Sequence, residues 1–183
     1  KVAWRNGTII NSLDLPKGAM PQDIRIVPDG SKFYVADMQH ACVWIVDATG
    51  TKVIGKIDTG IGTHGIYPSR DAKLIYVTNR GRLMNDTRRK SRKGEGSISV
   101  VDPTTDTVVA TWPIPGGGSP DMGGVSADGT ELWISGRYDA EVYVFDTTTG
   151  AVKAQIKVGP GPHGLAVFPQ PGRYSLGHTG VYR

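Results

Sequence analysis

Two histidines and an aspartate occupy equivalent places in this chain of 183 residues. His64 and His163 each begin a His-Gly-aliphatic triplet, and Asp121 begins the aligned triplet between them. Imidazole and carboxylate groups that converge on one point suit Zn, Cu or Fe. The chain has no H-x-H or H-x-x-E pattern that would favour a metal site further. Two hypotheses follow: a divalent metal held by His64, Asp121 and His163, or histidines that only hydrogen-bond neighbouring loops.

The triplets belong to a repeat that predicts the fold. With Gln22 opening the first, they start 42, 57 and 42 residues apart. A large aromatic residue lies twelve positions after each of the first three openings: Tyr34, Tyr76 and Trp133. Apolar segments that end in aspartate follow, at Asp47, Asp102 and Asp146. A period of about 40 to 45 residues with four short strands is typical of a blade. The sequence therefore predicts an all-β propeller of four-stranded blades.

Each blade is predicted to hold strands a, b, c and d. In the first complete unit they cover residues 22–27, 32–37, 42–47 and 52–58, separated by Asp-Gly and Thr-Gly turns. The longer spacing of 57 residues is explained by a basic insertion, residues 80–96, between strands b and c of the second unit. Trp44, Trp112 and Trp133 are expected in the core between blades, and Cys42 as a small buried apolar residue.

Strand direction assigns the polar residues to one face, here called the funnel face. Because neighbouring strands are antiparallel, the d-to-a and b-to-c connections emerge together, and the other turns emerge opposite. The predicted ligand residues of the funnel face are Gln22, Asp23, His64, Asp121, Arg137 and His163. Asp37, Asn79 and Arg80 also follow strand b on this face, as Arg137 does, and they could line a polar ligand pocket around the funnel. For Asp37 and Asn79, capping of the turn is the favoured interpretation.

The basic insertion carries more than the whole net charge. It contains seven of the 21 basic and two of the 17 acidic residues, a net of +5, so the remaining chain of the +4 protein has −1. Its predicted anion-binding residues are Arg80, Arg82, Arg88, Arg89, Lys90, Arg92 and Lys93. They suit phosphate in nucleic acid, lipid head groups or wall polymers. The loop has no aromatic residue for base stacking, and blocks of like charge are often only solvated loops.

The ends of the chain predict incomplete blades. Residues 1–17 are expected to form a half blade, with strands c and d at 2–5 and 8–13. Three blades should cover 18–62, 63–118 and 119–161, and a last half blade 162–183 has strands at 163–168 and 173–178. The two halves either close a four-bladed ring or belong to a larger ring completed by further blades or a second copy.

Several classes of protein are disfavoured by what the sequence lacks. The sequence contains no run of 18 apolar residues, which a membrane-spanning helix would require, and its single cysteine excludes an intrachain disulfide. No G-x-S-x-G elbow and no CxxCH haem site occurs. An enzyme is therefore less favoured than a binding protein, and no cofactor beyond the divalent metal is suggested.

The segment LIYVTN and the stretches VVDPTTDTVVATWPI and VFDTTTGAVKAQIKVGPGPHGLAVFP closely resemble the YVTN-family β-propeller repeat proteins, over nearly the whole chain. The final residues resemble the C-terminus of bacterial, particularly actinobacterial, members. The resemblance implies a seven-bladed ring and an extracellular, cell-wall or periplasmic location. Some relatives are associated with DNA binding, and related propellers include oxidoreductases, lactonases and lyases.

These observations lead to one principal hypothesis and two alternatives. The principal one is a non-catalytic binding or scaffold propeller that presents its funnel face to a ligand, polymer or protein. The first alternative is a metal- or cofactor-assisted oxidoreductase, lactonase or lyase at the funnel. The second is a weakly specific DNA binder that uses the basic insertion.

Overall fold

The computed structural model describes residues 1–3, 5–82 and 94–168. Twelve β-strands form in this part of the chain. They are β1 Pro21–Ile26, β2 Lys32–Asp37, β3 Cys42–Asp47, β4 Val53–Asp58, β5 Thr63–Pro68, β6 Ile75–Asn79, β7 Ser97–Asp102, β8 Thr107–Pro113, β9 Pro120–Val125, β10 Glu131–Gly136, β11 Glu141–Asp146 and β12 Val152–Lys157.

The strands form three sheets, each of four consecutive antiparallel strands: β1–β4, β5–β8 and β9–β12. This is the arrangement of three successive propeller blades, and it confirms the predicted fold class. The second and third strands of the first blade have the predicted bounds, whereas its first strand begins one residue earlier and its fourth one residue later. The sheets lie within the predicted ranges 18–62, 63–118 and 119–161, whose limits stay predictions.

Burial distinguishes the strands within each sheet. The second and third strands are almost wholly buried, as in β6 and β11, whereas the fourth strands β4, β8 and β12 are exposed at half or more of their positions. This pattern arises because stacked sheets cover both faces of the inner strands and leave the outer edge in water. The first strand β1 departs from it: β5 and β9 are buried nearly throughout, but Ile24 and Ile26 of β1 are exposed.

The core consists of two layers, one in each interface between neighbouring sheets. Tyr34, Ile45 and Ile66 pack in the first layer. Trp112 lies in the second, between Tyr76 and Phe145, with ring centroids 5.3 and 6.3 Å away. The structure thus confirms the core prediction for Trp112, and also for Cys42, which is fully buried.

The other two predicted core tryptophans lie differently. Trp44 and Trp133 are only half-buried. Their indole N–H groups donate to Asp37 at 2.8 Å and to Glu131 at 2.9 Å. The physical reason is that an indole keeps its polar edge where a carboxylate can accept from it. The same contact fits the predicted capping role of Asp37, which also accepts from the backbone N–H groups of Met20 and Gln39.

Polar contacts tie the first strands of neighbouring sheets together. The Ile66 N–H donates to Asp23 over 3.0 Å, and the Gly123 N–H donates to the Tyr67 hydroxyl over 3.0 Å. The Thr78 hydroxyl donates to the Asp121 carbonyl over 2.7 Å. Residues at the starts of β5 and β9 are therefore held by partners from two sheets at once.

The predicted terminal half blades are not formed as strands in the described residues. One bridge joins Val2 to Ile9, where strands at 2–5 and 8–13 were expected, and residues 163–168 form no strand. Ile9 and Ile10 are largely exposed, so little apolar burial stabilises strand pairing there. The strand predicted at 173–178 lies outside the described residues.

Candidate functional site

The structure brings His64, Asp121 and His163 together at the inner edge of the sheets. His64 is the second residue of β5, Asp121 the second of β9, and His163 follows β12. One potential ligand atom from each lies within 4.8 Å of the other two. His64 and Asp121 are buried, whereas 42% of the His163 side chain is exposed. Solvent therefore reaches this group of three residues mainly at His163.

Arg80 completes the group, and we call these four residues the funnel site. It follows β6 directly, and its Nε and Nη2 atoms donate to Asp121 Oδ1 over 2.8 and 2.5 Å. Nη2 also lies 2.8 Å from His64 Nε2. The guanidinium carbon lies 5.9 Å from the centre of the Tyr138 ring. Arg80 thus links the second sheet to the third.

This position corrects the placement of two residues predicted as part of an exposed anion-binding loop. Arg80 and Arg82 are only 5% and 6% exposed. The physical reason for Arg80 is the buried Asp121 carboxylate, which a guanidinium neutralises with two hydrogen bonds. Arg88, Arg89, Lys90, Arg92 and Lys93 lie outside the described residues, so anion binding by the loop stays a prediction.

The contact with Arg80 determines the tautomer of His64. A guanidinium only donates hydrogen bonds, so Nε2 of His64 accepts and carries no proton. The proton of the neutral ring is then on Nδ1, which lies 3.0 Å from Asp121 Oδ1 without the alignment of a hydrogen bond. With Nε2 bound by the Arg80 guanidinium and Nδ1 close to the Asp121 carboxylate, His64 is oriented as a structural partner of these two residues.

Asp121 is the negative centre of the funnel site. Burial alone would raise the pKa of its carboxyl, but the contacts with His64 and Arg80 outweigh burial and hold that pKa below its ordinary value. Only one of its oxygens is used in this way. Asp121 Oδ2 is buried and has no hydrogen-bond partner among the described residues, and His163 Nε2 lies 3.7 Å from it.

His163 lies under opposing electrostatic influences. Burial lowers the pKa of its imidazole, the Asp121 carboxylate raises it, and the positive charge of Arg137 lowers it again, with a net shift below the ordinary value. The neutral ring is therefore the favoured form near neutral pH. The partly exposed ring of His163 thus lies beside the buried Asp121 Oδ2 atom.

The metal hypothesis receives support and opposition from the same geometry. The ligand atoms converge to within 4.8 Å of one another, but two ligands of a tetrahedral zinc ion are about 3.4 Å apart, so the side chains would have to move closer to share one ion. However, the Arg80 guanidinium already contacts Asp121 Oδ1 and His64 Nε2. A metal ion would have to displace this cation, so binding of metal stays a prediction.

The remaining residues predicted for the funnel face fall into two kinds. Gln22 and Asp23 bind the protein itself: Gln22 donates to the carbonyls of Met20 and Pro21, and Asp23 accepts from the backbone of Ile24 and Ile66. Arg137 is half-buried and follows β10 directly, as Arg80 follows β6. Arg137 therefore adds a positive charge that acts on His163, and the buried Asp23 carboxylate interacts electrostatically with His64.

The partnership of Arg80 with Asp121 was missed by the sequence reasoning, although a signal for the position of Arg80 exists. Arg80 and Arg137 each lie 16 residues after a triplet opening, at His64 and Asp121. They therefore occupy the same position in successive blades. The sequence places Arg80 both at the end of strand b and at the start of the basic insertion, but it does not indicate the pairing of Arg80 with Asp121.

Comparison with known proteins agrees with the three-sheet architecture. A family model described as YNCE-like β-propeller matches residues 81–173, about half of the chain. The chain belongs to this family. The chain is also 33% identical over 117 residues to Antigen Lp49 of Leptospira interrogans. This match covers 63% of this chain and 25% of the relative.

A solved structure extends the likeness over most of the chain. Hydrazine synthase of Kuenenia stuttgartiensis contains a chain with a TM-score of 0.61 and 25% identity, over 89% of this chain and 42% of that one. This YNCE-like propeller thus spans a quarter of the length of the first relative and less than half of the second. In its described residues, no helix is long and apolar enough to cross a membrane.

Proposed function

We propose that this YNCE-like propeller is a non-catalytic binding module, secreted or at the cell surface, whose funnel face recognises a ligand. The observation that carries the proposal is the buried, unpaired Oδ2 atom of Asp121 beside the half-exposed ring of His163. Buried polar atoms are normally hydrogen-bonded, and an orphaned one needs an explanation. A ligand that donates to Asp121 would satisfy it.

The hydrogen bonds that already engage Arg80 and His64 support binding over catalysis. Arg80 is held by Asp121 and His64, and it occupies the Nε2 atom that His64 would need for proton transfer. A general base must reach the proton that it removes. His163 is the one funnel-site imidazole with a large exposed fraction. The relative Lp49 is named an antigen, and this name supports a location of this protein that antibodies can reach.

The proposal is tested by the thermal unfolding midpoint of the full chain in the presence of a set of sugars, organic acids, amino acids and nucleotides. We expect at least one class to raise the midpoint, and the rise to disappear in His163→Ala. Lys73→Ala is the matched control, because Lys73 is largely exposed in the turn between strands β5 and β6, on the opposite face. A rise that survives in His163→Ala, or no rise with any class, would overturn the proposal.

A metal-assisted enzyme at the funnel is the second candidate, favoured by the convergence of His64, Asp121 and His163. Metal analysis of the purified protein tests it. About one equivalent of Zn, Cu or Fe that is lost in His64→Ala would support this candidate, and a metal-free protein would reject it. Binding of DNA by the basic insertion requires a separate assay, in which affinity should fall steeply as salt rises.

A further inference from the structure

Successive blades place an arginine and a backbone anchor in the same way. Thr78 of β6 donates to the carbonyl of Asp121 over 2.7 Å, and Ser135 of β10 donates to the carbonyl of His163 over 2.6 Å. Thr78 and Ser135 each lie two residues before the arginine of their blade, Arg80 or Arg137. The same backbone anchor therefore occurs in both blades. It lies two residues before Arg80 for residue 121 and two residues before Arg137 for residue 163.

The chemistry at the two positions differs. Arg80 binds the carboxylate of Asp121. The residue at the corresponding position for Arg137 is His163, whose backbone carbonyl is held by Ser135 and on whose imidazole the positive charge of Arg137 acts. Among the described residues, the Arg137 side chain has no carboxylate partner in an ion pair. The second position thus lacks the anion that the first one contains, and Arg137 and His163 both offer hydrogen-bond donors or positive charge toward it.

The adjacent Asp121 Oδ2 atom adds a second requirement. It is a buried acceptor without a donor, 3.7 Å from His163 Nε2. A bare carboxylate ligand would leave this oxygen unpaired and would be repelled by it. An ammonium group would satisfy Asp121, but it would approach Arg80, which already neutralises that carboxylate. A hydroxyl group donates without adding charge.

We infer that the ligand of the funnel site is a small hydroxycarboxylate, such as a hydroxy acid or a sugar acid. Its carboxylate binds between Arg137 and His163, in the place that the Asp121 carboxylate takes beside Arg80. Its hydroxyl donates to Asp121 Oδ2. The inference rests on the proposed function, and it names the class of ligand for the same site.

Calorimetric titration of the full chain with four probes tests the inference: D-glucuronate and L-lactate as hydroxycarboxylates, D-glucose without the carboxylate, and acetate without the hydroxyl. We expect at least one hydroxycarboxylate to bind tenfold or more tightly than glucose and acetate. Arg137→Gln should weaken that binding tenfold or more. Lys73→Gln removes the same charge from the opposite face and should leave it unchanged. Equal affinities for all four probes would overturn the inference, as would binding that Arg137→Gln does not weaken.

The His163 ring provides an independent readout in the unaltered protein. A carboxylate bound beside it should raise the pKa of the imidazole by about one unit, measured by NMR titration with and without glucuronate or lactate. Arg137, Arg80, His64 and Asp121 act on the same ring and are present in both titrations. An unmoved pKa under saturating probe would contradict the inference.

The outcomes also separate this inference from the proposed function. If only a neutral sugar or a cationic compound binds and shifts the His163 signal, the funnel face is a binding site and the hydroxycarboxylate assignment is wrong. If no compound of any class shifts that signal, both the assignment and the proposed function are wrong.

Discussion

At the scale of single residues, Asp121 organises the funnel site because it joins two sheets and carries a buried negative charge. The sequence repeat placed His64, Asp121 and His163 at equivalent positions, and they do converge. It could not show that Arg80 turns inward, because the charge of residues 80–96 suggested a solvated loop. The choice between these environments depends on a buried carboxylate from another blade, 41 residues later in the chain.

Replacing Asp121 by alanine should be strongly destabilising. The change leaves the Arg80 guanidinium buried without its partner, and breaking a buried ion pair on one side costs about 3 to 5 kcal/mol in the free energy of unfolding. Asp71→Ala is the control, because its ion pair with Lys73 is exposed and should contribute at most about 1 kcal/mol. Urea unfolding measures both values, and a similar small loss in both variants would contradict the buried pair.

The pH dependence of stability should reveal the same carboxylate. The pKa of Asp121 is lower in the folded protein than its ordinary value of 3.8, so the unfolded state takes up the proton first. Its contribution is therefore present above about pH 4 and is lost as pH falls through the lower, folded pKa. In Asp121→Asn this part of the acid-induced loss should be missing. Unfolding curves of both proteins from pH 6 to pH 2 measure it, and parallel pH profiles would refute the assignment.

At the scale of elements, alternation and turn residues predicted the strands of the three complete blades well, as the bounds of β2 and β3 show. The prediction was weakest at residues 2–13 and 163–168, where the pattern resembles strands but the described structure shows no full ladder. Alternating apolar and polar residues in a sequence indicate only that the side chains suit a half-buried strand. Pairing also requires a neighbouring edge and an apolar surface to cover, which a local pattern does not report.

The Gly123-Gly124 pair of β9 offers a test at this scale. The sequence suggests that small residues are needed where the innermost strands crowd together, and the structure shows this requirement at Gly123. A Cβ atom at Gly123 would collide with the carbonyl oxygen of Trp133, whereas one at Gly124 would meet nothing nearer than Val167 at 3.7 Å.

Gly123→Ala should therefore lower the free energy of unfolding by about 1 to 3 kcal/mol through overpacking. Gly124→Ala should change it by no more than about 0.5 kcal/mol. Denaturant unfolding of the two variants compares adjacent residues of one strand. If both variants lose stability equally, the crowding lies elsewhere than at the Trp133 carbonyl.

At the scale of the whole molecule, the three sheets differ in what covers them. The second sheet has a neighbour on each face, and its first strand is buried almost throughout. Among the described residues, the first sheet packs against another sheet on one face only. On its other face, Leu13 and Leu15 line a pocket with Phe33, and Ile24 and Ile26 of β1 stay exposed. The family resemblance predicted a larger ring, in which such a face packs against another blade, and the number of blades stays a prediction.

Equivalent isoleucines in the first two sheets measure this difference. Ile66 is fully buried, and its replacement by alanine should cost about 2 to 5 kcal/mol in the free energy of unfolding. Ile24 occupies the same repeat position and is 55% exposed, so Ile24→Ala should cost less than about 1 kcal/mol. Equally large losses would show that another body covers the first sheet in solution.

The ends of the basic insertion are fastened more firmly than its composition suggests. The Arg80 and Gly81 N–H groups donate to the carbonyls of Gly62 and Ile61, and at the far end the Gly118 N–H donates to the Gly94 carbonyl over 2.6 Å. Since the two ends are fixed by the sheets, doubling the length of the chain between them adds only about 0.6 kcal/mol of closure entropy. An epitope or a reporter peptide grafted between residues 82 and 94 would therefore start and end beside positions that the sheets hold in place.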